Sequence, residues 1–198
     1  LAQMVRDPYL VFFNHFNEEN NWKGVTLKEE DILFCKAVTR QFLRYSSVAI
    51  VKEVTPLLDY GLPKEWIYSH IGGHPITVSV KGRERQVAGF GRRCSLVLAD
   101  KDSGQPEDNP LMGLFQAYII PDIKEQDWDR VGQAELMSIE VFPTLNERLY
   151  LCFLYGKNIN PEQDISLGKP LLDDYETYVD ILTNSPEAQR LYLGEYEE

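Results

Sequence analysis

The chain has 198 residues, of which 43% are hydrophobic, and its 20 Lys and Arg face 31 Asp and Glu, giving a net charge of −11. This length suits one domain with a sizeable core, so we expect a single globular domain over residues 1–198. The acidity argues against a protein that coats nucleic acid or adheres to anionic membranes, although it permits one local basic contact. No apolar run reaches the length of a membrane span, and the N-terminus lacks the charged start and apolar core of a signal peptide.

Three cysteines, Cys35, Cys94 and Cys152, lie far apart in apolar surroundings. Their number is odd, and their spacing fits neither a zinc site nor a disulfide framework. Buried thiols suit a reducing compartment. We therefore expect a cytoplasmic protein.

The first third of the sequence predicts helices. Asp7 followed by Pro8 is typical of a helix start. Thr26 and Glu29 have the spacing of a capping box, and the apolar positions after them recur at helical intervals, so we expect a helix over residues 27–45. The next ten residues fit either a strand or a continued helix. A further short helix is expected over residues 63–71.

The middle of the chain predicts strands. In this region, apolar residues alternate with polar ones or form short continuous runs, as is typical of strands. The expected strands are 76–80, 92–98, 114–120, 136–142 and 149–155. Apolar residues recur at helical spacing over residues 171–183, in a stripe of Leu171, Tyr175, Tyr178, Val179 and Leu182. Ser185 with Pro186 marks the start of another helix. The fold class is therefore α+β, an antiparallel sheet of about five strands within residues 76–155, packed with N-terminal and C-terminal helices.

Residues 76–100 are the most distinctive part of the sequence. We interpret them as a β-hairpin with a basic tip, since residues 76–99 hold five cations and one acid, a local charge of +4. Glycine flanks Phe90 on both sides, and we expect a bulge near Gly91. The candidate binding residues are the hairpin cations and this aromatic residue: Lys81, Arg83, Arg85, Phe90, Arg92 and Arg93.

Two functions suit this hairpin. The first is a non-enzymatic interaction or assembly protein, which docks a protein partner through the basic hairpin and the acidic C-terminal helices. The alternative is a nucleic-acid-binding or processing factor, whose cations contact phosphates while Phe90 stacks on a base. A purely internal role is also open, in which the acidic C-terminal helices fold beside the cations.

Other candidate sites are weak. His70 and His74 have the four-residue spacing of metal ligands, but two glycines between them end any helix that would align them. A loop over residues 100–110 begins like a calcium site, yet glycine and leucine stand where oxygen ligands are needed. We expect no metal and no cofactor. The sequence contains no phosphate loop, dinucleotide fingerprint or nucleophile elbow, and whether the protein is an enzyme is left open.

Overall fold

A computed structural model of the protein describes residues 1–19, 21–70, 74–99 and 115–183. Its mixture of strands and helices confirms the α+β class. The strands are β1 (Ala2–Arg6), β2 (Tyr9–Phe13), β3 (Ile32–Val38), β4 (Glu65–His70), β5 (Ile76–Val80), β6 (Arg83–Val87), β7 (Arg93–Ala99), β8 (Phe115–Ile120), β9 (Glu135–Leu136) and β10 (Ile139–Glu140). The helices are α1 (Arg40–Tyr45), α2 (Trp128–Val131), α3 (Thr144–Tyr155), α4 (Pro161–Leu167) and α5 (Glu176–Thr183). Single 3₁₀ turns occupy Glu29–Asp31, Glu125–Asp127 and Asp173–Tyr175.

The chain divides into two compact units. Unit 1 takes its described residues from Leu1–Leu62 and Ile139–Ile159, and unit 2 takes them from Pro63–Ser138 and Asn160–Gln189. The polypeptide therefore passes from unit 1 to unit 2, returns, and leaves again. That all 198 residues form a single globular domain stays a prediction.

Unit 1 contains a four-stranded sheet in the order β1-β2-β3-β10. The pairs β1–β2 and β2–β3 are antiparallel, whereas the short β10 runs parallel to β3. Every residue of β2 is buried, as is nearly every residue of β3. Both faces of these two strands are thus covered, which explains why their sequences are almost continuously apolar.

Helix α3 completes the described core of unit 1. Its buried residues are Thr144, Leu145, Arg148, Leu151 and Cys152, a spacing that places them along one helical face. The helix ends at Gly156, whose φ of 63° lies in the left-handed region that favours glycine.

Unit 2 contains a second four-stranded sheet, in the order β8-β7-β4-β9, and a separate hairpin of β5 and β6. Strand β4 pairs antiparallel with β7 and parallel with β9. A hydrophobic core cluster of unit 2 consists of residues from these strands and from the segment around α2: Ile67, Cys94, Leu96, Ile123, Val131 and Leu136. The predicted strand 76–80 is confirmed as β5, and the described part of the predicted strand 114–120 forms β8.

The helices predicted in the first third of the chain are mostly wrong. Asp7 and Pro8 lie in the turn between β1 and β2 rather than at a helix start. The predicted helix 27–45 is the strand β3 followed by the short helix α1. The predicted helix 63–71 contains β4. In each case pairing with neighbouring strands prevails over local helical preference, because burial within a sheet outweighs the small differences in propensity.

Two of the predicted strands are also corrected. Residues 149–155, expected to form a central strand, belong to helix α3. Residues 136–142, expected to form one antiparallel strand, supply the last residue of β9 and the whole of β10. Strand β9 pairs in parallel with β4 in unit 2, and β10 pairs in parallel with β3 in unit 1. The single antiparallel sheet of about five strands is therefore replaced by two mixed sheets and a hairpin.

Two further expectations lie outside the described residues: the loop over residues 100–110 and the helix beginning at Ser185. Among the described residues, no helix is long and apolar enough to cross a membrane.

Candidate functional site

The basic hairpin is tighter than the sequence predicts. Strand β5 pairs with β6 directly, in a register that aligns Val80 with Arg83 and Val78 with Arg85. Only Lys81 and Gly82 form the turn, with φ angles of 49° and 71°. Positive φ at both positions is the geometry of a type I′ turn, in which the second position is commonly glycine. The expected pairing of strand 76–80 with 92–98 is thus wrong, since β7 pairs with β4 and β8.

This register places two arginines on the apolar face of the hairpin. Residues opposite each other on paired strands project to the same side of the sheet. Arg83 and Arg85 therefore share a side with Val78 and Val80, both of which are buried. The hairpin thus has an apolar strip along β5 bordered by guanidinium groups along β6.

Helix α5 packs against β6 with a matching pattern. Its Tyr178 and Val179 are buried, as the predicted helical stripe requires, while Glu176 and Asp180 lie one turn apart beside them. Four helical residues rise about 6 Å and two strand residues rise about 6.7 Å, so two carboxylates on α5 fall opposite two arginines on β6.

Three ion pairs join the two elements. Lys81 Nζ lies 2.6 Å from Glu176 Oε2, and Arg83 Nη1 lies 3.4 Å from Glu176 Oε1. Arg85 Nε lies 3.6 Å from Asp180 Oδ1. All the side chains involved keep substantial contact with solvent. We call this combination of hairpin and helix the hairpin–α5 surface.

The proton affinities of Lys81 and Glu176 reflect this contact. The hydrogen bond to Glu176 and the charge of that carboxylate raise the pKa of Lys81. The hydrogen bond from Lys81 and its charge lower the pKa of Glu176, and Arg83 and Arg85 add smaller effects in the same direction. Both side chains are thus held in their charged forms over a wider pH range.

The remaining candidates, Phe90, Arg92 and Arg93, lie elsewhere in unit 2. Phe90 is only 7% exposed, so its ring is not presented to solvent as stacking on a base requires. Arg92 and Arg93 are exposed. The described ladder pairings contain no bulge at Gly91, because β7 begins at Arg93 after a loop. The six candidates thus separate into an ion-paired group and a group beyond the hairpin.

His70 is hydrogen-bonded within the sheet of unit 2. Its Nε2 lies 2.8 Å from Ser95 Oγ, and that hydroxyl donates to the carbonyl of Pro121 at 2.6 Å. Since a hydroxyl has one proton to donate, His70 Nε2 is the donor to Ser95. His74 is exposed and outside any strand. Within the described part of the chain, no group of three His, Cys, Asp or Glu side chains is placed to hold a metal.

Sequence reasoning missed a buried charge cluster in unit 1. Arg148 is 0% exposed and its Nη1 lies 3.2 Å from Oε2 of Glu140, which is 2% exposed. The guanidinium also donates to the carbonyl of Ile159 and to Asn158 Oδ1, and it lies 3.6 Å above the ring of Phe34. The sequence carried no clear signal for this arginine, because α3 has apolar side chains on its exposed face as well as on its buried face.

Comparison of the chain with protein-family models, with curated proteins and with solved structures gave no match.

Proposed function

We propose that this is a cytoplasmic, non-enzymatic interaction or assembly protein that docks a protein partner through the hairpin–α5 surface. The observation that supports the proposal is the set of three ion pairs that joins the basic hairpin to the acidic helix. The two charged elements, separate in the sequence, become one continuous surface of mixed sign. Mixed and patterned charge is typical of surfaces that select a protein partner and its orientation.

The same ion pairs weigh against phosphate as the principal ligand. Phosphate binding derives its strength from cations that release counterions from the nucleic acid. Here Glu176 and Asp180 already neutralise part of the hairpin charge, and their carboxylates repel a phosphate backbone. A protein partner, in contrast, can supply both acids and bases in a complementary order.

Nucleic-acid binding or processing remains the second candidate, and one observation favours it. Arg92 and Arg93 are adjacent and exposed, and neither belongs to the three ion pairs of the hairpin–α5 surface. Two neighbouring arginines are a sufficient start for phosphate contact. This alternative moves the ligand away from Lys81 and from the strands of the hairpin.

A pair of charge swaps tests the proposal. Arg85→Asp combined with Asp180→Arg keeps an internal ion pair but inverts the outward charge pattern of the hairpin–α5 surface. Arg130→Glu combined with Glu65→Arg is the matched control, because it inverts another exposed ion pair of unit 2, with an Nη2–Oε2 distance of 2.7 Å. Both proteins are used as bait in extracts of the source cells, beside the wild-type chain.

We expect a partner that binds wild type and the control swap but is lost from the hairpin swap, chiefly through slower association. Retention by the hairpin swap would contradict the proposal. Labelled single-stranded RNA and DNA are measured in parallel at low salt, where the electrostatic contribution is strongest. We expect no binding. Binding that is abolished by Arg92→Gln with Arg93→Gln would favour the second candidate instead.

A further inference from the structure

Unit 2 encloses a cavity of about 230 Å³ that the proposed function does not use. Its walls come from β4, from the loop before β7, from the segment that follows β9 and from α4. The lining residues are Tyr68, Ser69, Gly89, Phe90, Leu136, Met137, Ser138, Glu162 and Ser166. The volume lies below the range of about 300–1,000 Å³ that is usual for pockets of larger ligands. A molecule of few atoms is the appropriate occupant.

One part of the cavity is apolar and partly aromatic. Phe90 and Leu136 are buried, and Tyr68 and Met137 add a ring and a thioether chain. Aromatic and thioether side chains make favourable contacts with a flat hydrocarbon ring. This part of the lining therefore suits a small aromatic group.

Another part of the cavity is polar and contains one carboxylate. Ser138 Oγ donates to Glu162 Oε1 at 2.9 Å, so the hydroxyl holds the carboxylate in place. Ser69 Oγ is buried, and no hydrogen bond of ordinary geometry reaches it from the described residues. Its polar neighbour is the thiol of Cys94, a weak hydrogen-bonding group. These groups favour a ligand with a positively charged donor, because a carboxylate forms its strongest hydrogen bonds with charged donors.

Gly89 is the lining residue of the cavity that is most open to solvent. Among the lining residues it is exposed, whereas Phe90, Leu136 and Ser166 are buried. Its φ of 82° lies in the left-handed region, and a Cβ at this position would meet no atom within 4 Å. Glycine therefore supports the backbone conformation here, and it adds no side chain at this position.

We propose that this cavity is a binding site for a small aromatic amine, whose ring lies among Tyr68, Phe90 and Met137 and whose ammonium group binds Glu162. The site belongs to unit 2 alone and does not depend on the partner-docking proposal. It is separate from the ion-paired residues of the hairpin.

The test uses three probes of nearly equal size and different charge: benzylamine, benzyl alcohol and benzoate. Each is titrated into the full chain while backbone amide shifts are followed by NMR. We expect benzylamine to give saturable shifts at Met137 and Ser138. We expect it to bind about tenfold more tightly than benzyl alcohol, because its ammonium group adds ionic attraction to the hydrogen bond with the carboxylate. Benzoate should not bind, because its carboxylate faces that of Glu162.

Variants then assign the binding to this cavity. Glu162→Gln should weaken benzylamine binding about tenfold, and Ser69→Ala should weaken it by a smaller factor. Glu84→Gln is the control, since this exposed hairpin carboxylate lies outside the cavity. We expect it to bind like wild type. The proposal is overturned if benzylamine gives no saturable shift even at about 10 mM, if benzoate binds equally well, or if Glu162→Gln is without effect.

Discussion

The two units hold arginine–carboxylate pairs of the same chemistry in opposite surroundings. In unit 1, Arg148 and Glu140 are buried, and the guanidinium also contacts Ile159, Asn158 and Phe34. In unit 2, Arg85 and Asp180 face each other at 3.6 Å on the surface, with side chains 35% and 51% exposed. The two pairs differ in hydration, because the buried pair has lost its contact with water and the exposed pair has kept it.

That difference separates a structural role from a binding role. Breaking a buried pair leaves a charge without solvent or partner, which is costly, whereas water replaces the lost partner of an exposed ion. We therefore expect the stability of unit 1 to depend on its buried pair. We expect unit 2 to tolerate changes in its exposed pairs at small cost, as a docking surface requires.

The largest expected effect is that of Arg148→Met. The substitution keeps much of the side-chain volume but leaves Glu140 buried without its arginine partner, so we expect the free energy of unfolding to fall by about 3–5 kcal/mol. Chemical denaturation of the purified protein measures it. Arg130→Met is the matched control, because Arg130 and its partner Glu65 are exposed. If Arg148→Met lowered the free energy of unfolding by less than about 1 kcal/mol, the buried pair would contribute no more than an exposed one.

An intermediate effect is expected for Tyr175→Phe in unit 2. Tyr175 is 1% exposed, and its hydroxyl donates to Asp164 Oδ2 at 2.7 Å. The variant keeps the ring but removes a hydrogen bond to a charged group, which should lower the free energy of unfolding by about 1.5 kcal/mol. Tyr150→Phe, on the exposed face of α3, should change nothing measurable by the same denaturation experiment. If Tyr175→Phe and Tyr150→Phe had the same effect, burial would not determine how much a polar contact contributes to stability.

The smallest effect on stability is expected for Arg85→Gln, which removes the exposed pair with Asp180. We expect a loss below about 1 kcal/mol. Because salt screens exposed charges, the difference from wild type should disappear in about 1 M NaCl. The difference caused by Arg148→Met should persist there. A salt-independent loss at Arg85 would mean that the hairpin–α5 contact is structural in the same sense as the buried cluster.

The sequence predicts well the elements that have one covered face. Ile76, Val78 and Val80 alternate with polar residues, and they form β5 as expected. In the stripe expected on the C-terminal helical segment, Tyr175, Tyr178 and Val179 are buried, and Leu171 and Leu182 are half-buried. A half-covered element carries the period of its geometry in its sequence, so its type can be read from the pattern.

In elements that are buried on both faces, the apolar residues of the sequence do not show that periodic spacing. Strand β2 is buried along its whole length, and its run of apolar residues was compatible with a helix. Helix α3 was mistaken for a strand for a related reason: Tyr150, Phe153 and Leu154 are apolar but exposed, so the sequence does not mark which side is buried. The alternation expected within residues 136–142 fails in the same way, since the polar Glu140 is buried and the apolar Ile139 is exposed.

The charge of the candidate site could be predicted from the sequence, but which side chains form ion pairs there could not. The local excess of cations in β6 and its turn was visible in the sequence, and so was the acidity of the C-terminal helix. Their register was not, because it depends on a pairing across about ninety residues that local patterns do not encode. Phe90 illustrates the limit, since the nucleic-acid alternative required its ring to stack on a base and the ring is buried.

The central claim, that α5 neutralises the hairpin cations, is tested most directly by an NMR titration of the Glu176 side-chain carboxyl. Lys81 lowers the pKa of Glu176, so we predict a value below its ordinary 4.5 in wild type and a return toward 4.5 in Lys81→Met. The stability from this contact is then present above pH 4.5 and is lost as the pH falls through the lowered pKa. A Glu176 pKa at or above 4.5 in the wild-type protein would contradict the account.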